Sequence, residues 1–251
     1  MSTDSLRAIV VIPARLASSR FPEKILAKET GKYLIQHTYE QAKQAKLVEE
    51  IIIAADDERT IQAVESFNAH AIMTDPNLPS GTDRVSAAAK NIDCDIIVNL
   101  QADEPEMPPE FIDKLIMLLA SDEQASMATL ASKFTSRKDI ENPNNVKVII
   151  DKFGNAIYFS RSIIPYPREG FESLPEQFSY YHHFGIYAYR KDFLLKLTNL
   201  PPAPIEQIEK LEQLRVLWNN YKIKVGIMDY RVEGIDTYDE YKKFVQKQKQ
   251  T

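Results

Sequence analysis

Ala8-Ile9-Val10-Val11-Ile12 is an unbroken apolar run of strand length, and the chain returns to that pattern at Ile51-Ile52-Ile53-Ala54-Ala55. A strand without polar alternation belongs in a sheet covered on both faces. Between the two runs, Leu34, Ile35, Thr38, Tyr39, Ala42 and Ala45 recur at helical spacing. Ile61, Val64 and Phe67 mark a second helix, another begins near Thr82, and Phe111, Ile112, Leu115, Ile116 and Leu119 mark a fourth. Residues 69–73 and 96–100 read as two more strands. The alternation predicts an α/β protein with a doubly wound, mainly parallel sheet. In such sheets ligands bind beyond the carboxyl ends of the strands.

After about residue 142 the pattern changes. Residues 146–150 and 156–159, with a turn around Phe153-Gly154-Asn155, read as an antiparallel hairpin. A Pro-rich stretch (Pro165, Pro167, Pro175) precedes a strand at 184–189. Helices are expected near 205–218 and 237–247, with a strand at 222–228 between them. No repeat or linker breaks the chain, so 1–251 is expected to be one domain whose second half extends the same sheet.

Composition narrows the function. The 251 residues carry a net charge of −5 and are 44% hydrophobic. A non-specific nucleic-acid or membrane-surface binder would show a basic excess, so neither partner is expected. The one cysteine, Cys94, rules out an internal disulfide framework and a CxxC metal motif. The segment Met1-Ser2-Thr3-Asp4-Ser5 has no basic lead into a long apolar stretch, and 8–14 is too short to span a bilayer. The expectation is a soluble, cytoplasmic protein. His37 and His70 read as structural or surface residues.

Chemistry concentrates in the loops. The turn after the first strand, PARLASSRFPEK at 13–24, sets Arg15, Arg20 and Lys24 against Glu23, with Ser18 and Ser19 as hydroxyl donors. It suits a triphosphate cradle, and on charge alone it suits a solvated basic loop equally well. It is neither a Walker loop nor GxGxxG, and 7 glycines are few for a dinucleotide site. Asp103-Glu104, before Pro105, has the hard oxygens that magnesium prefers, although such a pair is more often solvated surface. In Gly234-Ile235-Asp236-Thr237, Thr237 and Glu240 have the form of a capping box. Asp236 there is either a second metal carboxylate or part of the loop's end.

Taken together, these segments resemble the 3-deoxy-manno-octulosonate (KDO) cytidylyltransferases, from about residue 8 to 241. The resemblance rests on PARLASSRFPEK at 13–24, SGTDR at 80–84, NLQADEP at 99–105 and NPNNVKV at 142–148. It extends to YFSRSIIP at 158–165, HFGIYAYR at 183–190, LEQLRVLW at 211–218 and GIDT at 234–237.

The resemblance implies a Rossmann-like nucleotidyltransferase fold with an antiparallel dimerisation extension, working as a homodimer. It divides the domain into a nucleotide-binding half (6–135), a sugar-binding and dimerisation region (136–230) and a C-terminal helix (231–251). The implied reaction moves CMP from CTP to KDO or its 8-amino analogue, releasing diphosphate, for lipopolysaccharide biosynthesis. Arg15 and Lys24 correspond to triphosphate contacts and, with Asp103 and Asp236, to the catalytic set. Ser18, Met73, Thr74, Ser80, Gly81, Thr82 and Asp103 complete the nucleotide site. Asp103 and Asp236 match the Mg2+ carboxylates. Gln101, Arg161, His183, Tyr187, Glu212 and Gln213 fall where the sugar is held.

Several positions depart from the family pattern. Glu23 and Ala102 replace glycines, Phe21 replaces Leu, Asp83 replaces Glu, and His182 stands where Arg is common. None removes a charged group of the implied catalytic set. Two other readings are a sialic-acid-type cytidylyltransferase and a catalytically silent nucleotide-binding dimer.

Overall fold

The computed structural model describes residues 6–18, 20–230, 232 and 234–250. Ser19 and the segment 1–5 read above lie outside that set. The first half alternates as expected: β1 (Ala8–Ala14), α1 (Leu34–Ala42), β2 (Glu50–Ala55), α2 (Glu58–Glu65), β3 (His70–Met73), α3 (Gly81–Ala89), β4 (Ile96–Asn99) and α4 (Pro109–Ser121). There follow β5 (Ala125–Lys133), α5 (Arg137–Glu141), β6 (Lys147–Ile150), β7 (Ala156–Ser160), β8 (Tyr181–Arg190) and α6 (Lys191–Leu197). The chain ends with α7 (Pro204–Glu209), α8 (Leu214–Trp218), β9 (Lys222–Met228) and α9 (Tyr238–Gln248).

Among the described residues the nine strands join one sheet, ordered β3-β2-β1-β4-β8-β5-β9, with β6 pairing β7 and β8. The pairs β1–β2, β1–β4, β2–β3 and β5–β9 are parallel, whereas β8 runs antiparallel to β4, β5 and β6. Every residue of β1 is buried. Ala8, Val10 and Ile12 enter one core, and Ile9 and Val11 the core on the opposite face. That split explains the continuous apolar run: each parity of the strand faces a different layer. Burying one such Val or Ile stabilises the fold by roughly 2 kcal/mol, so either face is intolerant of polar side chains.

The sheet contains elements that the apolar periodicity did not indicate. β5 is one of them, a strand of small residues (ASMATLASK) held between β8 and β9. The short helices α5 and α6 are others. The helix expected over 205–218 is instead two, broken where Lys210 adopts a left-handed conformation (φ 54°). No helix among the described residues is long and apolar enough to cross a membrane.

Strand order reverses at β1, which has β2 on one side and β4 on the other. Their carboxyl ends lead into the loops 15–24 and 100–108, where a crevice forms.

Candidate active site

Three segments meet at that crevice. Lys24 opens a short 3-10 turn, entered through Glu23 in a left-handed conformation (φ 55°). The preceding loop is held by Phe21, whose ring packs on Tyr238 and Tyr241 of α9 at 5.3 and 5.4 Å. Asp103 follows β4. Asp236 is presented by the start of α9, where Thr237 caps the helix and Glu240 accepts the backbone N–H groups of Asp236 and Thr237, both at 2.8 Å. The backbone N–H of Ile235 donates to the Asp103 carbonyl at 2.8 Å, which ties the two carboxylate-bearing segments together.

The Lys24 ammonium joins the carboxylates. It donates to Asp103, to the Ile235 carbonyl at 3.0 Å and to Asp236 at 3.4 Å. Arg20 donates to Asp236 at 2.7 Å. A cavity of about 390 Å³ on one side is lined by Arg15, Ser18, Arg20, Lys24, Gly81 and Gln101. One of about 340 Å³ on the other is lined by Glu104, His182, His183, Phe184 and Gly185. Asp103 and Asp236 line both cavities. The arrangement offers a basic chamber for an anionic chain, a mixed polar chamber, and two carboxylates on the wall between them.

Burial, reinforced by the negative charges of Asp103 and Asp236, pushes the Glu104 carboxyl up to about 8, with Lys24 opposing. Burial, with His182 adding to it, pushes His183 down to about 3, so its imidazole is neutral. Tyr187 is raised by burial and by Glu212. Glu212 is itself raised by burial, against the lowering effects of the Thr82 hydroxyl and Arg215.

The other expected site residues lie further out. Arg15 donates to the Leu78 carbonyl at 3.0 Å, reaching the loop after β3. Met73 ends β3 half-exposed, and Thr74 donates to the Ala55 carbonyl at 2.7 Å. Ser80 caps α3, whose first turn holds Gly81 and Thr82. Gln101 donates to Asn99 at 3.0 Å. Gln213 is buried, and its amide nitrogen has no hydrogen-bond partner among the described residues. Arg161 is held by the Glu209 carbonyl at 2.7 Å and the Pro143 carbonyl at 3.1 Å. Arg161, Tyr187, Glu212 and Gln213 line neither cavity.

Two further features escaped the motif reading. Arg84 is fully buried, donates to Thr74 and lies 3.5 Å from Asp56, which in turn accepts the Leu16 N–H at 3.0 Å. It thereby ties together the loops after β1, β2 and β3. Glu104, half-buried at the wall of the second cavity with its carboxyl pushed up to about 8, is the other. Its place in the DEP segment was a signal, but the closeness of Asp103 and Asp236 that raises it was not.

The donor set can be tested against magnesium. Two carboxylates already share one cationic group, Lys24. No cluster of three or more His, Cys, Asp or Glu side chains able to hold a metal exists among the described residues. Magnesium takes one or two protein carboxylates and completes its shell with water and phosphate oxygens, so the residues fit it.

A family model described as cytidylyltransferase matches residues 9–223. The chain is 45% identical to the 3-deoxy-manno-octulosonate cytidylyltransferase of Chloroherpeton thalassium over 240 residues, 95% of this chain and 96% of that one. Its fold is similar to that of a CMP:2-keto-3-deoxy-manno-octonic acid synthetase solved in complex with CTP (TM-score 0.91, 40% identity, 97% and 99% of the two chains). The 4-diphosphocytidyl-2C-methyl-D-erythritol synthase of Anaerococcus prevotii, at 16% identity and TM-score 0.62 over 99% and 98% of the chains, shares the fold.

Proposed function

The chain belongs to the 3-deoxy-manno-octulosonate cytidylyltransferase family, and on that premise we propose that it transfers CMP from CTP to KDO, releasing diphosphate. The observation that carries this reading is the shared wall: Asp103 and Asp236 stand together between a basic chamber and a second polar chamber. The triphosphate enters the chamber of Arg15, Ser18, Arg20 and Lys24, and the sugar acid enters that of His183. The anomeric hydroxyl attacks the α-phosphorus in line as the bond to diphosphate breaks.

Positioning and charge neutralisation carry such a transfer. Arg15 and Lys24 offset charge on the phosphates, and Lys24 exchanges its carboxylate partners for phosphate oxygens as CTP binds. Asp103 and Asp236 would hold Mg2+, which when bound supplies positive charge to the phosphates and acidity to the attacking hydroxyl. The nucleoside end lies toward Met73, Thr74 and Ser80. Gln101 lines the basic chamber, and Arg161, Tyr187, Glu212 and Gln213, which line neither chamber, would reach the sugar only after the site rearranges around it. The enzyme works in the cytoplasm as a homodimer, paired through the β6–β7 hairpin, where Phe153 and Ile157 are 66% and 57% exposed.

Diphosphate release from CTP, measured with and without Mg2+ against KDO, its 8-amino analogue and N-acetylneuraminate, tests the reading. Magnesium-dependent release with KDO supports it. Preference for the 8-amino analogue reassigns the acceptor, and preference for N-acetylneuraminate reassigns the branch. CTP binding without release from any acid leaves a silent nucleotide binder.

A further inference from the structure

β8 carries an irregularity beside the second chamber. Its register against β5 jumps from Thr129↔Tyr187 to Ala131↔His183, so Phe184, Gly185 and Ile186 face Leu130 alone. This bulge brings Phe184 and Gly185 to the wall of the chamber that His183 also lines. Thr129 sits fully buried behind it. Its hydroxyl oxygen lies 2.9 Å from the Ile186 carbonyl, 3.1 Å from the Phe184 carbonyl and 3.1 Å from His183 Nε2.

A hydroxyl has one proton to give and two lone pairs to offer. Both carbonyls only accept. If the proton went to a bare Nε2, the hydroxyl oxygen would face two carbonyl oxygens with no hydrogen between them, a costly arrangement where water is excluded. The proton therefore goes to a carbonyl, and Nε2 must carry the hydrogen that meets the remaining lone pair. The His183 ring is further held by Phe159 and Tyr187, with centroids at 4.9 and 5.5 Å, and its backbone N–H donates to Val146. Nδ1 has no hydrogen bond to a described residue.

We propose that Thr129 is a positioning residue: by giving its one proton to a bulge carbonyl it holds His183 as the Nε2–H tautomer, leaving Nδ1 as an uncharged acceptor for a substrate hydroxyl. The inference rests on the sugar-acid reading of the second chamber and adds which group of the acid His183 meets. A bare Nδ1 repels a carboxylate oxygen and accepts from an alcohol. His183 thus reads the polyhydroxylated chain of the acid, and its carboxylate binds elsewhere. The low pKa of His183 agrees with this, since a neutral ring keeps the tautomer throughout the neutral range.

Two measurements on the full-length protein decide the matter. The first is the tautomer of His183, read by 15N NMR of the four histidines, with His183→Gln to assign the signal. The proton is expected on Nε2 in the wild type, and a proton on Nδ1 overturns the proposal. The second is kinetics with KDO as the varied substrate. Loss of one uncharged hydrogen bond predicts that Thr129→Val raises the KM for KDO roughly 3- to 10-fold. The KM for CTP stays unchanged, and Thr129→Ser restores the wild-type value. An unchanged KM for KDO in a folded Thr129→Val protein overturns the proposal. If that variant fails to fold, the wild-type tautomer and the Ser variant still decide. Absence of KDO turnover in the wild type sinks the substrate reading instead, while the NMR result judges the Thr129–His183 relation independently.

Discussion

Lys24 Nζ and Asp236 Oδ1 lie 3.4 Å apart although 212 positions separate them in the chain. Asp103 accepts from the same ammonium. A basic loop near the start of the chain, a carboxylate from its middle and one from near its end therefore close on one point. Lys24 is only 13% exposed and its contact with Asp103 is largely shielded, whereas Asp236 is 47% exposed and its end of the contact meets solvent.

On the proposed mechanism, Asp103→Asn removes one of the two charged oxygen donors and part of the balance to Lys24. Turnover is expected to fall roughly 100-fold or more, the size of effect seen when a key electrostatic group is lost. Steady-state diphosphate release measures it. A variant that turns over like the wild type would leave Asp103 without a role in catalysis.

Gln213 has a buried amide nitrogen with no hydrogen-bond partner among the described residues, a costly state for a polar group. If the sugar acid supplies that partner, Gln213→Ala raises the KM for KDO roughly tenfold and leaves the KM for CTP alone. A selective rise for CTP would show that this residue serves the nucleotide.

Glu104 gives a pH signature. Its carboxyl titrates near 8 in the folded chain, against an ordinary value of 4.5. Between those values the native state binds more protons than the unfolded state, so this group's contribution to stability falls as pH rises. Glutamine cannot ionise. In chelator and without nucleotide, the Tm of Glu104→Gln relative to wild type should climb from pH 5 to pH 8 and level off above that. A Tm difference independent of pH contradicts the raised titration.

Glu23 occupies a left-handed conformation with φ 55° and ψ 25°, a region that costs a residue with a Cβ about 1 kcal/mol. Its ion pair with Arg59 at 2.7 Å is exposed and worth little. Glu23→Gly should therefore stabilise the protein by about 0.5 kcal/mol after glycine's extra unfolded-state entropy is subtracted. Urea unfolding reads the change, and a loss of stability would mean that the Arg59 contact outweighs the backbone strain.

Much of the fold was legible because local chemistry repeats. Ile9 and Val11 face one core and Val10 and Ile12 the other, and an all-apolar strand can be read for that burial without knowing its neighbours. β5 escaped because Ala, Ser and Thr leave no apolar period. Those residues are small where the strand is enclosed by β8, β9 and α4, and that enclosure is a property of the sheet. The break at Lys210 escaped for a similar reason: the apolar spacing continues on both sides of a single residue with positive φ.

At the site, residue types and loop positions came from the chain itself: a basic turn after β1, a carboxylate after β4 and a capped helix after Asp236. Charge and capping are local properties, so they can be read in order along the sequence. Which of these groups touch was decided only when the sheet closed. The Lys24 bridge to Asp103 and Asp236, the approach of Asp236 to Glu104 and the seat of His183 on Thr129 all depend on distances between segments remote in sequence, and only packing sets those distances.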